Sequence, residues 1–256
     1  LSEVLRVSRG NRGRCEKHAN GLFTAVQIGC DVAFQTAPWF NGGLFDNDTT
    51  LPLQADEIDI LQAACDLEWD EIDPSIFGTL FERGLDPKKR SQLGAHYTDP
   101  ETIMRIVGPV IVEPWRQAWE VKKAEISALM EKANLFGPTA KTSTEKAART
   151  KAENEAKRLL KGFLDNLKNF TVLDPACGSG NFLFLALRAL KDIEHSIHVD
   201  VEAIGMGRMF PTIGPENVKG IELNEYAAEL ARITIWIGEI QWMIQKGYGA
   251  NLNPIL

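Results

Sequence analysis

The chain has 256 residues, 44% of them hydrophobic and 25% charged, which suits one large globular domain or two small ones. The formal charge of −7 has the wrong sign for a freestanding DNA-binding module. No apolar run approaches the roughly 18 residues of a membrane span, and the polar, basic start LSEVLRVSRGNRGRCEKHANG lacks the apolar core of a signal peptide.

Four scattered cysteines (Cys15, Cys30, Cys65 and Cys177) have no CxxC spacing and read as reduced thiols of a cytoplasmic protein. Residues 1 to about 50 mix Gly and Asn with aromatics, and the two glycines after Asn41 mark a tight turn. From Ala55 to about Arg83 apolar residues recur at helical spacing, with Asp73 as an N-cap and Pro74 in the first turn. DPKKRSQLGAHYTDPETI is a loop, ending where Thr98 or Asp99 caps the next helix ahead of Pro100. That helix runs to about residue 133, with a break or kink near Pro109 and Pro114.

A polar break precedes a second charged helix, EKAARTKAENEAKRLLKGFLDNLK, so the two helices form a hairpin with one solvated side. From Arg116 to Lys168 there are 12 Lys/Arg against 7 Asp/Glu, or +5. The rest of the chain carries 16 against 28, or −12. A solvated face is the ordinary reading of such charges, with phosphate contact as the alternative.

At Phe170 the grammar changes. FTVLD is a short strand, DPACGSGN a glycine-rich turn and NFLFLALRALKDIEHSI a helix. VKGIEL is a second strand ending in an acid, and NEYAAELARITIWIGEIQWMIQKG a long helix. This order predicts an α/β fold with a parallel sheet. Ligands of such sheets lie beyond the carboxyl ends of the strands, where Asp174 to Gly180 sit.

GSGNF lacks the third glycine of a dinucleotide fingerprint, and Asp174 repels phosphate but suits an ammonium group. Glu222, about 45 residues on, is placed to accept hydrogen bonds from ribose hydroxyls. An ammonium-bearing, phosphate-free nucleoside satisfies both acids, which points to S-adenosylmethionine.

VLDPACGSGNFLF resembles the first cofactor motif of the adenine-N6 and cytosine-N4 DNA methyltransferases. KGIELNEYAAELARITIWIGE resembles their next motif, and LGAHYTDPETI is similar to their G-x-x-Y-T-P segment, with the proline displaced by Asp99. WFNGGLF and IDPSIFGTLFERGLDPKKRSQLGAHYT resemble the helical spacer of single-chain type II restriction–modification enzymes. The similar stretches cover about two thirds of the chain.

The resemblance implies an S-adenosylmethionine-dependent, Rossmann-like parallel sheet, incomplete here and preceded by a mainly helical segment. It implies a spacer at 1–85, a lead-in with the closing loop and charged hairpin at 86–169, and a truncated methyltransferase α/β domain at 170–256. The activity implied is methyl transfer to adenine N6 of double-stranded DNA in a restriction–modification system, with DNA held mainly by regions outside this chain.

Asp174, Ala176, Gly178, Ser179, Gly180 and Asn181 would border the methionine moiety, with Cys177 in the same loop. Glu222 would hold the ribose and Leu223 flank the adenine, while Tyr97 and Thr98 close over the amino-acid end. No catalytic residue and no metal site is assigned. Cys177 reads as a small packing residue, His195 and His198 as helix-end residues, and Trp236 and Trp242 as core.

The family holds its extruded base with a [DNS]-P-P-[YFW] motif. Every Asp-Pro or Asn-Pro here (DPSI, DPKK, DPET, DPAC, NPIL) lacks the second proline. The chain therefore reads as a fragment of a longer enzyme that by itself transfers no methyl and binds S-adenosylmethionine weakly or not at all. Methylation of RNA or of a protein glutamine, and a non-catalytic DNA-positioning scaffold, are the alternatives. The FGTLFERGL…GAHYT segment argues against the first of these.

Overall fold

A computed structural model describes residues 2–8, 11–32, 35–36, 49–67, 72–76, 78, 98–135 and 142–248. The chain divides into two compact units, Leu1–Ile76 with Trp236–Leu256, and Phe77–Ile235.

The first unit contains helices α1 (Ser2–Ser8), α2 (Arg12–Ile28) and α3 (Ala55–Cys65), and a two-residue antiparallel pair, β1 (Asp31–Val32) with β2 (Gln35–Thr36). Leu5, Cys15 and Ile58 form its small buried core. Asp73 lies in a turn, its Oδ1 accepting from the Ser75 N–H at 2.9 Å. The glycine pair after Asn41 lies outside the described residues.

The second unit begins its described helical run at α4 (Pro100–Val107). Asp99 is its N-cap, accepting from the Thr102 N–H at 2.9 Å, and Pro100 occupies the first turn. The two prolines downstream do not stop the chain from coiling. Gly108–Val112 forms a π-helical turn, closed by the Glu113 N–H donating to the Gly108 carbonyl, and α5 follows (Glu113–Leu135). Pro109 has no N–H to donate, and the wider turn absorbs that gap.

Helix α6 (Ser143–Lys168) opens with Thr142 and Glu145 in a capping box and packs antiparallel to α5 through Ala156, Leu160, Phe163 and Leu167. Trp115 and Trp119 meet Phe163 with ring centroids 5.6 and 5.3 Å apart.

Strand β3 (Val172–Asp174), helix α7 (Asn181–Ala203) and strand β4 (Val218–Gly220) make the parallel unit expected from sequence. β3 and β4 pair in parallel, Val172 with Val218, Leu173 with Lys219 and Asp174 with Gly220. Helix α8 (Glu225–Gln245) begins in the second unit and ends in the first, where Trp242 is buried and stacks on Tyr248 at 5.8 Å.

α7 runs six residues past Ile197, where the sequence pattern ends it, because Val201 continues its buried face. His195 and His198 are therefore mid-helix residues. The Trp119 Nε1–H and the Lys123 ammonium both donate to Asp200, at 2.7 and 2.8 Å, and tie α5 to α7.

Burial holds the His198 imidazole below its ordinary pKa, with Glu194 opposing the shift and His195 adding to it. It is 4% exposed, and neither ring nitrogen has a hydrogen-bond partner among the described residues. The unfolded chain takes up a proton near pH 6.5, the folded chain only at lower pH. Stability should therefore fall as pH drops below about 6.5. Urea midpoints at pH 7.5 and 5.5 check this, and His198→Gln should flatten the difference.

Candidate functional site: the glycine loop and its acidic braces

The loop between β3 and α7 is held by a short network of main-chain and carboxylate bonds. The Ile221 N–H donates to the Asp174 carbonyl at 2.9 Å, and the Cys177 N–H to the Ile221 carbonyl at 3.1 Å. The pairing thus continues past the formal strand end and folds the loop back over β4.

Asp174 is the last residue of β3, and its Oδ1 accepts from the Ala176 N–H at 3.1 Å. Glu222 lies two residues beyond the end of β4 and does not end the strand. Its Oε2 accepts from the Gly178 N–H at 2.9 Å and its Oε1 from the Asn224 N–H at 2.8 Å. One carboxylate therefore bridges the tip of the glycine loop and the start of α8. Each carboxylate oxygen has two acceptor sites, so Glu222 can still accept from a ligand.

Gly178 and Gly180 both take left-handed backbone, at φ 53° and 85°. Their surroundings differ. A Cβ on Gly178 would meet nothing within 4 Å, whereas one on Gly180 would lie 2.9 Å from both Cα and Cβ of Ala231 in α8. Gly178 thus borders open space, and Gly180 is a packing contact. The Gly180 carbonyl accepts the first helical bond of α7, from the Phe184 N–H at 2.8 Å.

The Cys177 thiol is half-buried and pushed up to about 11, first by burial and then by the charges of Asp174 and Glu222. It is a neutral thiol at physiological pH, without the thiolate a nucleophile needs. Both acids therefore act on the same small volume.

Leu223, next to Glu222, is 97% exposed. An apolar cleft of about 360 Å³ runs beside β3, lined by Ile106, Val110, Val172 and Phe182, with Asp174 and Ala176 at its edge. That volume falls within the range of small-ligand sites. α4 and the π-helical turn bring the chain after Thr98 to this cleft. Thr98 is half-buried, directly before the Asp99 cap, and Tyr97 lies outside the described residues.

Sequence reasoning missed one neighbour. A Cβ on Gly78 would fall 2.5 Å from Ser179 Oγ and 2.8 Å from Asn181 Nδ2, so the backbone at Gly78 lies against the glycine loop. Asn181 is buried, and its Oδ1 has no hydrogen-bond partner among the described residues. Only the glycine in FGTL marked this approach in the sequence.

Residues 148–254 match the family described as MmeI, DNA-methyltransferase domain. The chain is also similar to DNA methyltransferase A of Bacillus subtilis (strain 168), 30% identical over 207 residues, covering 80% of this chain and 20% of that protein. The solved structure of the type IIL restriction–modification enzyme MmeI in complex with DNA aligns with TM-score 0.69 and 25% identity, over 92% of this chain and 30% of that one. The chain is thus similar to the methyltransferase regions of type II restriction–modification enzymes.

A protein of Methanocaldococcus jannaschii, provisionally named a type II restriction enzyme and methyltransferase, shares 27% identity over 241 residues. That alignment covers 81% of this chain and 19% of that protein. The chain thus spans about a fifth of the length of the curated relatives it matches. No described helix is long and apolar enough to cross a membrane.

Proposed function

We propose that this chain is the cofactor-binding part of a cytoplasmic DNA methyltransferase that transfers the methyl of S-adenosylmethionine to adenine N6 within a restriction–modification system. The observation that carries the reading is Glu222, which joins the Gly178 amide to the turn before α8 beside the open face of the glycine loop. The incomplete sheet is read as the start of a Rossmann-like domain, after a spacer at 1–85 and a lead-in at 86–169.

The residues fit the cofactor. Asp174 and Glu222 offer negative charge to a group that carries a cation and no phosphate. Gly178 leaves room for a ligand to lie on the backbone, between Ala176 and Cys177 on one side and Ser179, Gly180 and Asn181 on the other. Glu222 would accept from the ribose hydroxyls, and the exposed Leu223 side chain would cover one face of the adenine. Thr98 would donate its hydroxyl to the methionine carboxylate, with Tyr97 beside it.

When bound, S-adenosylmethionine supplies an electrophilic methyl group. The chain's own part is to orient it, to shield it with the apolar cleft wall, and to hold the two acids in place through the amides of Ala176, Gly178 and Asn224. The acceptors for an extruded base belong to a [DNS]-P-P-[YFW] motif that this sequence lacks.

Transfer of labelled methyl to duplex DNA, followed by digestion to nucleosides, tests this reading. The 256-residue chain should give no label, because positioning of the base is worth several powers of ten in rate. A fusion that supplies the motif should label N6-methyladenine. Label in another base or in RNA, or label from the unfused chain, would contradict the assignment.

A further inference from the structure

The geometry points to the solvent face of α6 as a contact surface for the phosphates of duplex DNA. This inference rests on the DNA-methyltransferase reading above and gives it a surface within this chain. α6 carries seven Lys/Arg and four Asp/Glu. Three of the acids are already engaged on the helix. Glu145 closes the capping box, Glu153 pairs with Arg149 at 2.7 Å, and Glu155 pairs with Arg158 at 2.6 Å.

Lys146, Lys157, Lys161 and Lys168 are exposed and make no ion pair among the described residues. The fourth acid, Asp165, sits near the far end of this row. Lys146, Lys157 and Lys168 are eleven residues apart, about three helical turns, so they fall nearly in line. They span about 33 Å at 1.5 Å per residue, close to one turn of B-form DNA.

The buried residues Ala152, Ala156, Leu160, Phe163 and Leu167 centre about 110° round the helix from the lysine row, with buried Leu164 closer to it, and the lysines stay exposed beside that packed face. A shallow groove along the helix is lined by Lys146, Thr150, Lys151, Asn154 and Arg158, together with Glu155, with which Arg158 pairs. Four of these, at 146, 150, 154 and 158, repeat at i+4 and form one row of donors. Charged groups flanking hydroxyl and amide donors are what phosphate oxygens accept from. No pattern here reads bases, so the surface would position DNA without selecting sequence.

The test uses the 256-residue chain and a duplex of about 30 base pairs, long enough to span the lysine row, with binding followed by fluorescence anisotropy from low to moderate salt. Lys146→Gln, Lys157→Gln and Lys161→Gln together should reduce the slope of log affinity against log salt by about 2 to 3, near 0.9 for each phosphate that is no longer neutralised. The weakening should be equal for unrelated DNA sequences, and the triple Lys→Arg variant should keep the wild-type slope. An unchanged thermal midpoint would show that the glutamine variant is folded.

A wild-type slope in the folded glutamine variant, or no DNA binding by the wild-type chain at low salt, would overturn the inference. Tighter binding to duplex RNA with the same slope change would overturn the DNA assignment. Cofactor binding by the same protein stands or falls separately, so failure here does not read as failure of the methyltransferase assignment.

Discussion

Glu194→Ala is expected to lower stability by about 2–3 kcal/mol, as a buried donor left without an acceptor costs about 1–3 kcal/mol. Of its three donors, the Ile213 N–H is on a buried residue while Thr212 is exposed. Glu194 is 1% exposed at the middle of α7. Its Oε1 accepts from the Thr212 N–H and hydroxyl at 2.8 and 2.7 Å, and its Oε2 from the Ile213 N–H at 3.1 Å. The same loop receives the buried Lys191, whose ammonium donates to the Ile213 carbonyl at 3.0 Å. Two charged residues of one helix thus stitch down the segment that leads into β4, and hence to Glu222. Glu194→Gln keeps one acceptor oxygen and should cost less than the alanine change. Urea denaturation measures both; a change below about 1 kcal/mol for the alanine variant would mean that water replaces these bonds.

Gly180→Ala should cost about 3–4 kcal/mol, while Gly178→Ala should cost only about 1–2 kcal/mol. Both residues adopt left-handed backbone, which an alanine occupies at a penalty of about 1–2 kcal/mol. Gly180 adds a collision. Its new methyl would sit 2.9 Å from Ala231, whose backbone lies within α8 and cannot rotate away as a long side chain could. Overpacking of this kind adds about 1–3 kcal/mol. Gly178 has open space instead, so its methyl should spare the fold and obstruct a ligand. The two variants separate packing from binding: Gly180→Ala should lower the thermal midpoint most, and Gly178→Ala should weaken the cofactor out of proportion to its stability.

Much of this second unit was legible because local signals and tertiary structure agree. Asp99 before Pro100 reads as a cap and is one, and the apolar runs around DPACGSGN become the paired strands and α7. The acids at 174 and 222 were readable as a pair for the same reason, since both follow short apolar strands. The legible part ends where the deciding neighbour is remote in sequence. Lys191 and Glu194 sit in a helix whose charges look like a solvated face, and only the 206–214 loop, folded over them, makes them core. The sequence pattern puts Glu222 at a strand end, but Ile221 turns to bond Asp174 and Cys177, which carries the carboxylate under Gly178. The prolines at 109 and 114 announced a break, yet a π-helical turn tolerates the missing N–H. Gly78 is a glycine inside a helical pattern, which does not name the remote Ser179 and Asn181, about 100 residues away, that it approaches.

Whether the Glu222-braced loop receives S-adenosylmethionine is measured most directly by a nuclear magnetic resonance titration of the chain with that cofactor. The amide signals of Ala176, Gly178, Gly180 and Leu223 should shift together at high cofactor concentration, with weaker binding in Glu222→Gln and the weakest in Glu222→Ala. Glutamine keeps an acceptor for one ribose hydroxyl and alanine keeps none, a difference of about 1–3 kcal/mol. Shifts that gather elsewhere, or a Glu222→Ala variant that binds like the wild type, would contradict the assignment of this loop as the cofactor site.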